Sequence, residues 1–169
     1  MYKRQLYTRA GPEIGVASTK CHLAQIVALE VLGLYLAQIL GTQPVSVTNE
    51  ILNAMEVLPG LVTEALSRAG EVDQVAAKLT DARDFFFLGR HVGYPVALEG
   101  ALKLKELAYL RAEGYPAGEL KHGPIALLDS EVPVVAVATR SATLTKTLSS
   151  IAEVRARDAP VIALSLIHI

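Results

Sequence analysis

The chain has 169 residues, 51% of them hydrophobic and 20% charged, with 16 Lys and Arg against 17 Asp and Glu. That length suits one ordinary domain with a real core. The near-zero net charge, 5% aromatics and absence of Trp exclude the electrostatic footprint of a nucleic-acid or membrane-surface binder and a base-stacking platform, and one cysteine, Cys21, excludes a disulfide framework and a Cys-based zinc site and fits a reducing cytoplasm.

The two ends read differently from the middle. Met1-Tyr2-Lys3-Arg4-Gln5 is what a transposase mosaic-end adapter encodes when GTG is the start, and Leu164-Ser165-Leu166-Ile167-His168-Ile169 is what its reverse complement encodes. Residues 1–5 and 164–169 are therefore expected to be adapter-derived, leaving Leu6 to Ala163 for fold reasoning. No signal peptide is visible after the basic start. Gly11 to Gly15 is a loop, and Ser18 or Thr19 is placed to cap a helix that runs to about Leu40 and stops at Gly41. Its run from Leu23 to Leu40 is long enough to span a bilayer. Gln25, Glu30 and Gln38 interrupt that run, and a charge at the bilayer centre is expensive, so the expectation is a helix buried in the fold or in a subunit interface.

Beyond Pro44, Thr48-Asn49 suggests a cap for a helix over Glu50 to Val57, ended by Pro59-Gly60. Further helices are expected from Leu61 to about Ala69 and, after a break at Gly70, from Val72 to Leu79. At Asp84 the pattern changes. Phe85-Phe86-Phe87-Leu88 ended by Gly89 suits a strand covered on both faces. Tyr94-Pro95 opens a helix to about Arg111, Ala112 to Pro124 reads as loop or short helix, and Val132 to Ala138 as a second strand. Ser141 to Arg157 is the next helix, and Pro160 begins a third strand. Alternating strands and helices predict an α/β fold, a parallel sheet flanked by helices with right-handed crossovers, preceded by a helical connecting segment.

Chemistry-bearing residues concentrate in three places. Glu99, Lys103 and Glu106 share one face of the helix after the first strand. A solvated face stabilised by ion pairs explains this spacing; so does a functional stripe, because the helix is otherwise nearly apolar all round and a desolvated carboxylate beside a lysine is suited to moving a proton. His122, between Lys121 and Gly123-Pro124, lies on a shaped loop of the kind that carries catalytic groups, and equally could be a plain surface histidine. Cys21 at a helix start could have a lowered pKa, but with no evident base beside it a structural thiol is expected. His22 and His91 have no such company, and no His, Cys or Asp cluster has metal-ligand spacing.

Three motifs in order then carry a resemblance: Glu13-Ile14-Gly15-Val16-Ala17-Ser18-Thr19-Lys20, Leu98-Glu99-Gly100-Ala101-Leu102-Lys103-Leu104-Lys105-Glu106, and Ala117-Gly118-Glu119-Leu120-Lys121-His122-Gly123-Pro124. Together they resemble the isomerase part of the glutamine–fructose-6-phosphate aminotransferase family (glucosamine-6-phosphate synthases), over essentially Leu6 to Ala163. The resemblance implies two sugar-isomerase (SIS) domains of flavodoxin-like type, with residues 6–20 ending the first, 21–80 connecting, and 81–163 forming the front of the second, both domains being incomplete. It implies amination of fructose 6-phosphate by glutamine-derived ammonia and isomerisation to glucosamine 6-phosphate, in a cytoplasmic homodimer with no cofactor, no metal and no nucleic-acid or membrane partner. By motif, Glu106 moves the proton between C1 and C2, Lys103 is its catalytic neighbour, and His122 opens the sugar ring across the dimer. Val16, through its backbone, and Ser18 contact the sugar, and Glu13 supports that loop. The family's glutaminase domain, phosphate-gripping loop and C-terminal Schiff-base lysine have no counterpart in the sequence, which predicts an inactive fragment. A sugar-phosphate-sensing SIS module of a regulator and a glutaminase-free SIS isomerase or deglycase remain alternatives; the upstream gene distinguishes them.

Overall fold

The computed structural model describes residues 4–165. Most of the two segments expected to be adapter-derived, residues 1–3 and 166–169, lies outside the described residues, whereas Leu164 and Ser165 complete a strand. The chain divides into two compact units, Met1–Val75 and Ala76–Ile169.

The first unit is a loop followed by helices. Helix α1 spans Lys20–Leu40 and closes on Gly41, whose φ of 64° is the left-handed conformation that glycine adopts without a Cβ clash. The amides of Gly41 and Thr42 then reach back to the Gln38 and Ala37 carbonyls. Helix α2 is Val45–Glu56, α3 is Leu58–Ser67 and α4 is Ala69–Ala76. Three expectations are corrected here. Thr48-Asn49 does not cap the second helix, because Pro44 already fixes its start and Thr48 lies inside it, its hydroxyl donating to the Pro44 carbonyl. Pro59-Gly60 does not end a helix but sits in the first turn of α3, where proline's missing N–H costs nothing. Gly70 lies within α4 rather than breaking the chain.

Helix α1 bears on the expectation of burial in the fold or in a subunit interface. No residue of it is buried, and Leu29, Tyr35, Ile39 and Leu40 are all more than half exposed. Among the described residues it is the one helix long and apolar enough to cross a membrane. Of the two kinds of burial expected for it, the one within the fold is not provided by this chain.

The second unit is a four-stranded, wholly parallel sheet in the order β2-β1-β3-β4. Strand β1 is Asp84–Gly89, helix α5 Gly93–Ala108, β2 Arg111–Pro116, β3 Val134–Ala138, helix α6 Leu144–Arg155 and β4 Val161–Ser165. Strand alternation builds two cores. Phe85 and Phe87 of β1, with Val137 of β3, face Ala97 and Ala101 of α5. Phe86 and Leu88 face the other way, against Val154 of α6 and Leu120 and Leu128 of the β2–β3 connection. Fully burying one such Leu or Phe contributes about 1.5–3 kcal/mol.

Small residues bring α5 close to the sheet. A Cβ on Gly100 would stand 2.9 Å from the Phe87 ring, and one on Gly114 of β2 would stand 2.8 Å from the Leu98 side chain. The helix ends earlier than its apolar pattern predicts, at Ala108, where Tyr109 turns left-handed at φ 55°. That turn releases Arg111–Pro116 into β2, a strand that the loop reading of Ala112 to Pro124 misses.

Candidate functional site

The loop before α1 is built around Glu13. Its carboxylate accepts hydrogen bonds from the Thr19 amide at 3.3 Å, the Thr19 hydroxyl at 3.1 Å and the Cys21 amide at 2.9 Å. The helix is therefore capped by a carboxylate from six to eight residues upstream, not by the Ser18 or Thr19 side chain. An anion at a helix N-terminus satisfies the free amides and meets the positive end of the dipole. Cys21, by its thiol and then its amide, with Thr19 adding, holds the Glu13 pKa down at about 2. The same contact pushes the Cys21 thiol up, which corrects the idea that the dipole activates it and leaves the structural reading. Ala17 is buried and pins the loop, Ser18 is half-buried, and Val16, 94% exposed, stands outward from it.

In the second unit, α5 turns its small residues to the sheet and Glu99, Lys103 and Glu106 to the opposite side. The Lys103 ammonium lies 2.7 Å from Glu106 Oε2 and 3.4 Å from Glu99 Oε1, with the three side chains only 21%, 32% and 28% exposed respectively. The hydrogen bond to Glu106 pushes the Lys103 pKa up against the opposing effect of burial, with Glu99 reinforcing it. Lys103 is thus a fixed cation that orients a carboxylate rather than a base. Around this triad the same helix exposes Val96, Leu98, Leu102 and Leu107, an apolar border that makes the ions partly dry.

His122 ends a short 3-10 turn, Leu120–His122, in the β2–β3 connection. Gly123 follows with φ 143°, a backbone conformation suited to glycine. Leu120 anchors this turn in the core shared with α6. The sheet therefore separates His122 from the Lys103–Glu106 pair, which rides on α5 against the other face. The structure brings Lys103 and Glu106 together, and Glu13 with the loop that carries Val16 and Ser18; it does not bring His122 to Glu106 within one chain. Among the described residues no group of three or more His, Cys, Asp and Glu is placed to hold a metal ion.

Sequence reasoning missed a pair on β2. The Tyr115 hydroxyl donates to Glu113, and Arg111 lies 3.5 Å from both Glu113 and Asp84. Burial, with Glu113 adding, pushes Tyr115 up to about 12. Alternation of Arg111, Glu113 and Tyr115 is the only signal, and it becomes readable once the segment is known to be a strand.

This fold and arrangement place the chain by comparison. Residues 78–166 match the SIS domain, and the chain belongs to the SIS-domain family. It is homologous to the SIS isomerase region of glutamine–fructose-6-phosphate aminotransferases. The isomerizing aminotransferase of a Thermus thermophilus strain is 52% identical over 160 residues, covering 95% of this chain and 26% of that protein. That of Mycobacterium tuberculosis is 53% identical over 164 residues, with the same shares. The solved C-terminal domain of glucosamine-fructose-6-phosphate aminotransferase from Francisella tularensis superposes with a TM-score of 0.90 at 43% identity, over 92% of this chain and 43% of that one. The chain thus spans about a quarter of the length of the curated relatives it matches.

Proposed function

We propose that the chain is the part of a glucosamine-6-phosphate-forming aminotransferase that carries out the sugar isomerisation, with residues 6–20 ending one SIS domain, 21–80 connecting and 81–163 opening the next. The observation that carries this reading is the Lys103–Glu106 contact at 2.7 Å on a partly dried helix face. Moving a hydrogen between adjacent sugar carbons needs one base that removes a proton from C1 and returns it to C2, or the reverse. A single carboxylate shielded from water does this, and Lys103 fixes the orientation of Glu106 while supporting the negative charge that develops on the substrate oxygen. The substrate is a sugar phosphate, fructose 6-phosphate in this reading, and Val16, Ser18 and Glu13 form and support the loop that holds the sugar.

Ring opening needs a group that gains and loses a proton near neutrality, and imidazole is such a group. Because the sheet lies between His122 and Glu106, His122 serves the site of a second copy, which makes the active form a homodimer. The open apolar surface of α1 supports burial against the rest of such an assembly. A cytoplasmic location accords with Glu30 in the middle of that helix. The test is Glu106→Gln in the full-length protein that carries this segment. The expected result is loss of isomerisation by roughly 10²-fold or more, the scale of positioned acid–base catalysis, with an unchanged melting temperature. Retained isomerase activity removes Glu106 from this role.

A further inference from the structure

We propose that the second unit carries an additional anion site, on the α6 face of the sheet, that takes inorganic phosphate or the phosphate of a small monoester. The pocket has a volume of about 200 Å³ and is lined by Arg90, Gly118, Lys121, Lys146, Ser150 and Glu153 among others. Arg90 directly follows β1, at the carboxyl edge of the sheet. There the chain order reverses, since β1 leads to β2 on one side and β3 to β4 on the other, and open α/β sheets receive ligands in such a crevice.

Arg90 is the informative residue. Its Nε is buried without a hydrogen-bond partner, and among the described residues no carboxylate is within ion-pair distance of it. Glu153, the one carboxylate of the pocket, is engaged by Lys121 at 2.8 Å. Arg90 is half-buried, and a partly desolvated charge with an unmet donor gains from a counter-charge, so the guanidinium calls for an anion from outside. It is also held in place for one. Nη2 donates to Ser150 Oγ at 3.4 Å, and Ser150, a residue only 3% exposed, places that hydroxyl 3.0 Å from the Ala117 carbonyl and 3.2 Å from that of Lys146. Gly118 keeps the approach open, because a Cβ there would stand 2.9 Å from Nη1.

Three cations against one carboxylate leave two net positive charges, which match a phosphate dianion, and the guanidinium fork fits two phosphate oxygens. The volume falls below the ~300–1,000 Å³ of sites for drug-sized ligands, which limits the occupant to phosphate or a small monoester and excludes a nucleotide. The site uses none of the residues assigned to isomerisation and lies across the sheet from Glu106, so it stands or falls independently of that reading.

The test is a calorimetric titration of the 169-residue chain with inorganic phosphate, and separately with glucose 6-phosphate, at constant ionic strength. Saturable binding of at least one is expected, the tighter identifying the natural form of the anion. Binding weakens about tenfold or more in Arg90→Met and in Lys146→Met and is unchanged in Glu106→Gln. Lys146 is exposed, so Lys146→Met keeps the test valid should Arg90→Met fail to fold. No saturable binding beyond that of chloride, or wild-type affinity in Lys146→Met and a folded Arg90→Met, overturns the site.

Discussion

A carboxylate can cap a helix from outside it, and at Glu13 the cap changes the chemistry of its neighbours. Because its pKa is held down at about 2, the cap is complete above the ordinary carboxylate range and is lost only as pH falls through about 2. A carboxyl-carbon NMR titration is expected to show Glu13 ionised long after the exposed carboxylates have protonated. The same contact raises the Cys21 thiol, so Cys21 reacts with iodoacetamide at pH 7.5 several-fold more slowly than a free cysteine, and Glu13→Gln speeds that reaction. An unchanged rate in the variant would show that Glu13 is not what quiets the thiol. Neither effect was legible in the sequence. Ser18 and Thr19 look like caps because local spacing is all a sequence displays, whereas Glu13 reaches its partners through a loop whose path depends on the burial of Ala17. The Lys103–Glu106 contact was legible, since helical spacing alone brings residues three apart together.

At the scale of elements, the decisive contact is between β1 and α5. A Cβ on Gly89 would lie 2.1 Å from the Gly93 carbonyl oxygen, a backbone atom that cannot swing aside. Gly89→Ala is therefore expected to destabilise the fold by about 1–3 kcal/mol or more, read as a lower urea midpoint; a midpoint equal to wild type would mean that α5 can shift outward freely. Strands β1 and β3 were legible as apolar runs because they are buried almost throughout, and β4, an edge strand with no fully buried residue, was legible from its apolar composition alone. Strand β2 was not. It is an edge strand, and its Arg-Ala-Glu-Gly-Tyr-Pro sequence buries only Ala112 fully, so glycine and proline dominate its pattern. Its hydrogen-bonded Tyr115, pushed up to about 12, gives a check on that strand. The stability it adds is present below the ordinary tyrosine range and is lost as pH rises through about 12, and Tyr115 is expected to be the last described tyrosine to ionise in an absorbance titration.

At the scale of the whole molecule, the division of the sheet into two faces links chemistry to assembly. With Glu106 on one face and His122 on the other, a site that needs both draws them from two chains. Full-length Glu106→Gln and His122→Ala proteins, each inactive alone, are then expected to regain about a quarter of wild-type activity when unfolded and refolded together, because half of random two-fold dimers are mixed and each holds one intact site. No recovery would place both groups in one chain. The parallel architecture was legible from alternating strands and helices; which face Glu106 and His122 each occupy was not, since that depends on the crossover of β2 to β3 past β1. The central place of β1 also has a cost during synthesis. Phe85 to Leu88 are made before their partner, and one edge of the strand stays open until Val134 to Val137, about fifty residues later, arrive to pair with it. An uncharged, aromatic, β-prone run waiting for a distant partner is what slow folding and nascent-chain aggregation feed on. Slower delivery of β3 during translation is therefore expected to lower the yield of folded protein, read as the soluble fraction when the codons between Gly89 and Val134 are made slower.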